Sequence, residues 1–355
     1  MHSLLGLHKQ LLLHPSSKSL AVLLFPLVSL QACAEAIQRG ERPARSELAP
    51  KYLPLLVDGQ RSRLRVLFCT RWADVAVADI RVLFIPSLDT YLGALCDAAQ
   101  GRQVVTSMLS SCRRSDVQLY PPLSWDDLLE NKDVVYRYFG SDFMLEALWL
   151  QLPSLDSVPA VAASMLQSRA DGRYMVKGSF SYGGMSSCPI NIVKGQCAEL
   201  QAGLRRLFTE QHQRCVGIQP FEPSLADFEL RVILMPDEQL PCGWRAVQYI
   251  ETWHDPSSGC MTAQSSSTAG DRERAVANFI DRLLTARPLV FARAVELGMP
   301  ALRLDCGFSA ASKRAFLNEL CHAVDCTLFS EVHSSDVAAV VGECIAAQLW
   351  SLAHA

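Results

Sequence analysis

Arg303-Leu304-Asp305, followed by Phe316-Leu317-Asn318-Glu319-Leu320, is the stretch whose reading decides the fold. Two short apolar runs flank the polar Ser309-Ala310-Ala311-Ser312-Lys313-Arg314, which is the pattern of an antiparallel hairpin. Arg303 and Asp305 stand two residues apart and share one face of their strand. With Glu319 opposite Asp305, two carboxylates would lie beside a guanidinium. Carboxylate oxygens suit Mg²⁺, and a fixed guanidinium suits charge that develops on a phosphoryl group. Taken alone, the same residues also describe an exposed, salt-bridged hairpin whose ion pairs are worth little.

The rest of the chain narrows the choice. Its 355 residues can bury a large core in two or three subdomains, and 50% hydrophobic against 19% charged residues exclude a disordered chain. A formal net charge of −3, without a run of Lys or Arg, gives no basic field for nucleic acid. The 13 cysteines contain no CxxC pair, so reduced thiols in a reducing compartment are expected rather than a disulfide framework. No acid precedes Glu35, Lys9 and Lys18 precede the apolar Leu20–Leu30, and Ala32-Cys33-Ala34 resembles a cleavage site. Pro26 interrupts that run, no arginine accompanies it, and it is too short to span a bilayer. A packed N-terminal helix and a cytoplasmic location are therefore expected, with an organelle presequence as the alternative. No later segment reads as transmembrane.

Element patterns predict an α/β (α+β) chain. Residues 1–60 read as an N-terminal extension with a linker at Arg39–Pro50. A small α/β domain follows over 61–122, with strands at Arg65–Cys69 and Ile80–Ile85 and a helix at Leu92–Ala99. The remainder, 123–355, reads as one larger α+β domain. Ser124 is a candidate cap for the helix that follows it, and Phe143–Leu152 reads as helix up to Pro153. Strands are expected at Tyr174–Lys177, Val216–Phe221, Phe228–Met235 and Ala246–Trp253. Helices are expected at Ala198–Gln211, Arg272–Leu297 and Ser335–Leu352, and a Ser/Gly-rich loop over Pro256–Asp271.

Two further motifs bear on chemistry. In Tyr174-Met175-Val176-Lys177-Gly178-Ser179-Phe180-Ser181-Tyr182-Gly183-Gly184, a lysine ends a strand and enters a loop with two adjacent glycines. Such a loop can fold over phosphates, with Ser181 and the backbone of Gly183 and Gly184 as donors and Lys177 as a point charge. The spacing is not that of a P-loop, and a plain surface hairpin fits equally well. In Gly217-Ile218-Gln219-Pro220-Phe221, Pro220 marks an edge or break, and an edge backbone could pair with a purine ring. Glu229, in Asp227-Phe228-Glu229-Leu230-Arg231, could accept from ribose hydroxyls. Equally, Glu229 and Arg231 could be the wet face of a half-buried strand. His322 and His333 match no zinc-ligand spacing and read as structural or surface residues. Trp244, Arg245, Glu251, Trp253 and His254 read as sheet packing or as the wall of an acceptor pocket.

The order and spacing of these pieces over Leu123–Leu349 resemble the ATP-grasp superfamily. Lys132, opening a helix in Glu130-Asn131-Lys132-Asp133, resembles its first ATP lysine, and Lys177 the second, ahead of the glycine-rich lid. Gln219 to Phe221 resemble the adenine-reading segment, with Gln219 in place of the usual Glu. Glu229 resembles the ribose-binding acid, and Arg303 with Asp305 the Arg-x-Asp strand. Asn318 and Glu319 resemble the metal-binding end of an Asn-Glu-x-Asn tetrad, where Cys321 replaces the final Asn. A thiol is a poor ligand for Mg²⁺.

The resemblance implies an ATP-grasp fold, two α+β lobes clasping a nucleotide, preceded by the small α/β domain. It implies ATP and Mg²⁺ as cofactors. Lys132, Lys177, Ser181, Gly183, Gly184, Gln219, Phe221 and Glu229 would bind the nucleotide, Asp305, Glu319 and Asn318 the metal, and Arg303 would act in catalysis. The activity implied is ligation: a carboxylate becomes an acyl phosphate, and an amine or similar nucleophile displaces phosphate. Small-molecule carboxylate and amine substrates would be the partners, with no nucleic acid or membrane, and relatives of this fold are often dimers. Cys321 and Gln219 lean toward the alternative, a non-catalytic nucleotide-binding assembly factor of the same fold. A third reading, an α/β module without nucleotide, requires Lys177 and the hairpin acids to lie far apart.

Overall fold

The computed structural model describes residues 20–24, 64–68, 82–84, 118–129, 131–180, 187–192, 197–210, 213–254, 261–266, 270–286, 288–322 and 335–354. It is a mixed α+β fold in two compact units. One gathers Met1–Leu92, Gln100–Leu123 and Ser335–Ala355; the other gathers Gly93–Ala99 and Ser124–Ser334.

The first unit carries four parallel strands: β1 (Leu20–Leu24), β2 (Leu64–Phe68), β3 (Val82–Phe84) and β4 (Gln118–Tyr120), in the order β2-β1-β3-β4. β1 corrects the helix expected over Leu20–Leu30. Leu-Ala-Val-Leu-Leu is a continuous apolar run, the pattern of an interior parallel strand, and periodicity alone cannot separate that from a short buried helix. The C-terminal helix Ser335–His354 lies in this unit, and Tyr120 donates its hydroxyl proton to Gln348 over 2.9 Å. The helix expected over Leu92–Ala99 lies outside the described residues.

The second unit begins with helices α1 (Leu123–Leu129) and α2 (Lys132–Phe143) and builds two antiparallel sheets. Four strands, β5 (Leu148–Gln151), β6 (Gly172–Gly178), β7 (Ser187–Ile192) and β8 (Cys215–Pro220), run in the order β5-β8-β6-β7. Five strands, β9 (Glu229–Pro236), β10 (Trp244–His254), β11 (Met261–Ser265), β12 (Leu302–Ser309) and β13 (Arg314–His322), run in the order β11-β10-β9-β12-β13. Helices α3 (Val158–Gln167) and α4 (Ala198–Thr209) cover the first sheet. Val161, Met165, Leu200, Leu204 and Leu207 pack there against Val176, Ile190, Val216 and Ile218. Burying each such side chain stabilises the fold by about 1.5–3 kcal/mol.

Several local expectations change in this unit. The helix expected over Phe143–Leu152 ends at Phe143, after Gly140 adopts φ +64°, and Leu148–Gln151 becomes an edge strand paired with β8. Tertiary pairing here overrides helix propensity. β8 is an interior strand, not an edge, and Pro220 sits at its last position, where a missing N–H costs the ladder little. The loop expected over Pro256–Asp271 contains the edge strand β11. Ser124 lies inside the first turn of α1 rather than at its cap. The single helix expected over Arg272–Leu297 is two, Asp271–Ala286 and Pro288–Glu296.

Strand alternation on β12 separates core from chemistry. Leu302, Leu304 and Cys306 point one way and Arg303 and Asp305 the other. The former belong to a fully buried core with Leu230, Val232, Phe279, Ile280, Leu283 and Phe291. Trp244 belongs to the same packing, donating its indole N–H to the Phe291 carbonyl over 2.8 Å.

Candidate functional site

Asp305 and Glu319 are direct register partners across β12 and β13. The pairing shifts just beyond them, so that Cys306 faces Leu317 and Asn318 becomes the extra residue of a β-bulge. Adjacent strand residues ordinarily face opposite sides. The bulge instead lets both Asn318 and Glu319 reach the polar side of the sheet. Glu319 meets the ammonium of Lys132 at 2.5 Å. The Asn318 amide donates to Glu229 over 2.9 Å and accepts from Lys177 over 3.5 Å.

Lys177 comes from the other sheet and Lys132 from α2, which packs on the five-stranded side through Phe139 and Phe143 against Phe291 and Phe279. Lys132 opens α2, capped by Asn131, whose side chain accepts from the backbone N–H of Asp133 and Val134. A lysine in a first turn opposes the helix dipole, a local conflict that Asp133 and Glu319 offset. The Lys132 backbone N–H also donates to the Ser179 carbonyl over 2.8 Å, which ties the helix start to the end of β6. Lys177 lies on β6 between Gly217 and Ser187. Burial first, and the nearby Lys132 second, depress its ammonium pKa to about 8, although Glu319 and Glu229 pull the other way.

Behind Lys177 the chain is clamped. The Gln213 side chain accepts from the Phe180 N–H at 3.2 Å and donates to the Phe180 carbonyl at 2.7 Å. Gly178 leaves the room: a Cβ there would stand 2.3 Å from the Gln213 side chain. Ser181, Gly183 and Gly184, expected as phosphate donors, lie outside the described residues.

The acids are surrounded by guanidinium groups. Arg303 donates to both Asp305 oxygens at 2.8 and 2.9 Å and to the Cys321 sulfur at 3.3 Å. Arg231 lies 3.3 Å from Glu229 and 3.9 Å from Asp305. Glu229 and Arg231 are thus a buried pair rather than the wet face of a strand, because β9 is interior to its sheet. Burial and the neighbouring Asp305 raise the Glu229 carboxyl to about 7, against the opposing pull of Arg231 and the Asn318 bond. Burial also pushes Glu319 up, but Lys132, Arg303 and Lys177 outweigh it and hold its pKa below the ordinary value.

A cleft beside these groups is lined by Lys132, Tyr136, Met144, Trp149, Lys177, Gln219, Leu317 and Asn318. Trp149 lies flat over Gly217, where a Cβ would meet the ring at 2.7 Å. Its indole N–H is buried with no hydrogen-bond partner. Gln219 lines this cleft together with both lysines. Phe221 does not line this cleft; its ring lies 4.0 Å beneath the Arg173 guanidinium. His322 is buried and tilted against Trp125, a structural role, whereas His333 lies outside the described residues.

Sequence reading missed Arg231, Trp149 and Gln248. Gln248 is 7% exposed, and both its amide atoms lack a partner. It pairs with Ile233, which pairs with Arg303, so Gln248 and Arg303 share a sheet face. An amide set between Val247 and Tyr249 in the apolar middle of the strand was the available signal.

The donor set can be tested against Mg²⁺. Asp305, Glu319 and Cys321 offer two carboxylate oxygens and one sulfur, all within 4.8 Å of one another. The two carboxylates fit a hard cation, and the thiol does not.

No protein-family model matches the sequence, and no curated protein matches it. Solved structures do match. D-cycloserine synthetase DcsG superposes with a TM-score of 0.56 at 14% identity, covering 93% of this chain and 99% of that one. D-alanine–D-alanine ligase from Bacillus anthracis, crystallised with ATP, gives 0.54 at 9% identity over 95% and 99%. D-alanyl-alanine synthetase A from Vibrio cholerae gives 0.53 at 12% over 94% and 99%. The chain has the ATP-grasp fold.

Proposed function

We propose that the chain is an ATP- and Mg²⁺-dependent ligase that activates a small-molecule carboxylate as an acyl phosphate for attack by an amine or similar nucleophile. One observation carries this reading: Lys177 from the four-stranded sheet and Lys132 from α2 meet three acids and two arginines of the five-stranded sheet, with Lys132 on Glu319 and Lys177 on Asn318. That juxtaposition disfavours a module without nucleotide. ATP-grasp ligases among the similar structures, one of them holding ATP, support it further.

Lys132 and Lys177 offset phosphate charge, and Glu229, its carboxyl raised to about 7 by burial and Asp305, is the group offered to ribose hydroxyls. Asp305 and Glu319 would hold a divalent cation, with Asn318 completing the set, and such an ion would supply screening of phosphate charge. Arg303 would stabilise negative charge at the reacting carbonyl. Gln248, on the same sheet face, offers an amide to a polar group of the second substrate. No protein nucleophile takes part.

The test is ATP binding and ADP release across a panel of carboxylates and amines, with wild type and Arg303→Ala. Substrate-stimulated ADP release that collapses in the variant supports ligation. ATP binding without any stimulated release overturns it in favour of an assembly factor.

A further inference from the structure

The ligase reading brings a divalent cation to the β12–β13 hairpin, and the hairpin is not built for the ion that reading names. Arg303 and Cys321 are register partners, as are Asp305 and Glu319 two residues on, so all four side chains share one face. Sγ of Cys321 and one oxygen each of Asp305 and Glu319 lie within 4.8 Å of one another. A zinc-type ion binds such atoms at roughly 2.0–2.3 Å. Mg²⁺ demands six hard oxygens and keeps several waters. Here the third protein donor is a sulfur, and Asp305 and Cys321 are only 1% and 3% exposed, which leaves little room for water. Two carboxylates and a thiolate instead satisfy three positions of a tetrahedral ion, which needs one further ligand rather than the several waters that Mg²⁺ keeps.

We propose that this hairpin selects a thiophilic divalent cation of the Zn²⁺ type over Mg²⁺, with Cys321 as a ligand beside Asp305 and Glu319. On coordination the Cys321 S–H bond breaks, the sulfur takes the electron pair to the metal and the proton leaves to solvent. No oxidation state changes. Arg303 gives up its contact with the sulfur and one or both of those with Asp305, and Lys132 loosens from Glu319, two cations that the incoming ion replaces. The inference rests on the ligase reading for the presence of a cation, but not for the choice among cations.

The test uses the full-length protein stripped with a chelator and titrated with Co²⁺, a coloured stand-in for Zn²⁺. A thiolate-to-cobalt charge-transfer band is expected in wild type. It should be lost in both Cys321→Ser and Cys321→Asn, which separates Cys321 from the other cysteines. One equivalent of Zn²⁺ should bleach the band, and a large excess of Mg²⁺ should leave it. Zn²⁺ should also raise the thermal midpoint of wild type and of neither variant. A band that survives both variants, a band that Mg²⁺ removes, or no band at all overturns the proposal. ATP binding measured in parallel separates the two readings. A Cys321-dependent band without ATP binding sinks the ligase and leaves the metal selection standing, and ATP binding with Mg²⁺ but no band does the reverse.

Discussion

The two sheets of the second unit bring opposite charges to one cluster and hold them differently. Two of the three acids on the five-stranded side have a guanidinium within their own sheet, Arg303 on Asp305 and Arg231 on Glu229, while Glu319 pairs with Lys132. On the other side, Lys177 is buried beside a second ammonium and finds its partner, Asn318, across the cleft. Asp305 and Glu229 are therefore compensated within their own sheet, and Lys177 carries an electrostatic deficit that an anion would relieve. A stability loss should follow from mutating the first, and a binding loss from mutating the second.

Asp305→Ala is the largest break. It strands the Arg303 guanidinium and removes a longer contact of Arg231, so stability should fall by about 3–5 kcal/mol in denaturant unfolding. Turnover should drop on the order of 10²- to 10³-fold with the loss of charge stabilisation. Unchanged stability would mean that the acid side is not held by its own counterions. Lys177→Ala should weaken ATP binding by roughly 10- to 100-fold, the equivalent of a charged hydrogen bond at about 1.5–3 kcal/mol, and leave stability unchanged or improved. Calorimetric titration and a thermal melt decide it, and an unaltered ATP affinity would break the comparison.

Gly217→Ala should cost about 1–3 kcal/mol by driving a methyl into the Trp149 ring, and should shift nucleotide binding through the displaced indole. The smallest effect is in pH. With its ammonium pKa lowered to about 8, Lys177 is charged below that pH and neutral above it, so ATP affinity should decline as pH rises through 8. Lys177→Arg, charged throughout, should flatten the curve. A wild-type curve already flat between pH 7 and 9 would contradict the assignment.

Much of the site was legible because its residues break local rules. A lysine in a first helical turn, an Arg-x-Asp inside an apolar strand, and an Asn-Glu pair on its neighbour are each poor choices for stability alone, and the structure brings all three together. Arg231 was hidden because Glu and Arg alternating on a strand look the same whether water or a neighbouring strand covers them. Leu20–Leu24 and Leu148–Gln151 were misread for a related reason: short apolar runs take their conformation from the strand they meet, which no local pattern records. Trp149 carries no motif, and its place is visible only once Gly217 is seen beneath it.

The extra residue at Asn318 also makes the hairpin sensitive to chain length. A strand reads its side chains as odd or even, and the insertion changes that parity once, midway along β13. Lengthening or shortening β13 by one residue on the Leu317 side would exchange which of Phe316 and Leu317 meets the core, yet leave Glu319 and Cys321 in place. The same change between Asn318 and Cys321 would turn the chemistry inside out. Insertions and deletions in this hairpin should thus be tolerated on one side of a single peptide unit and abolish function on the other.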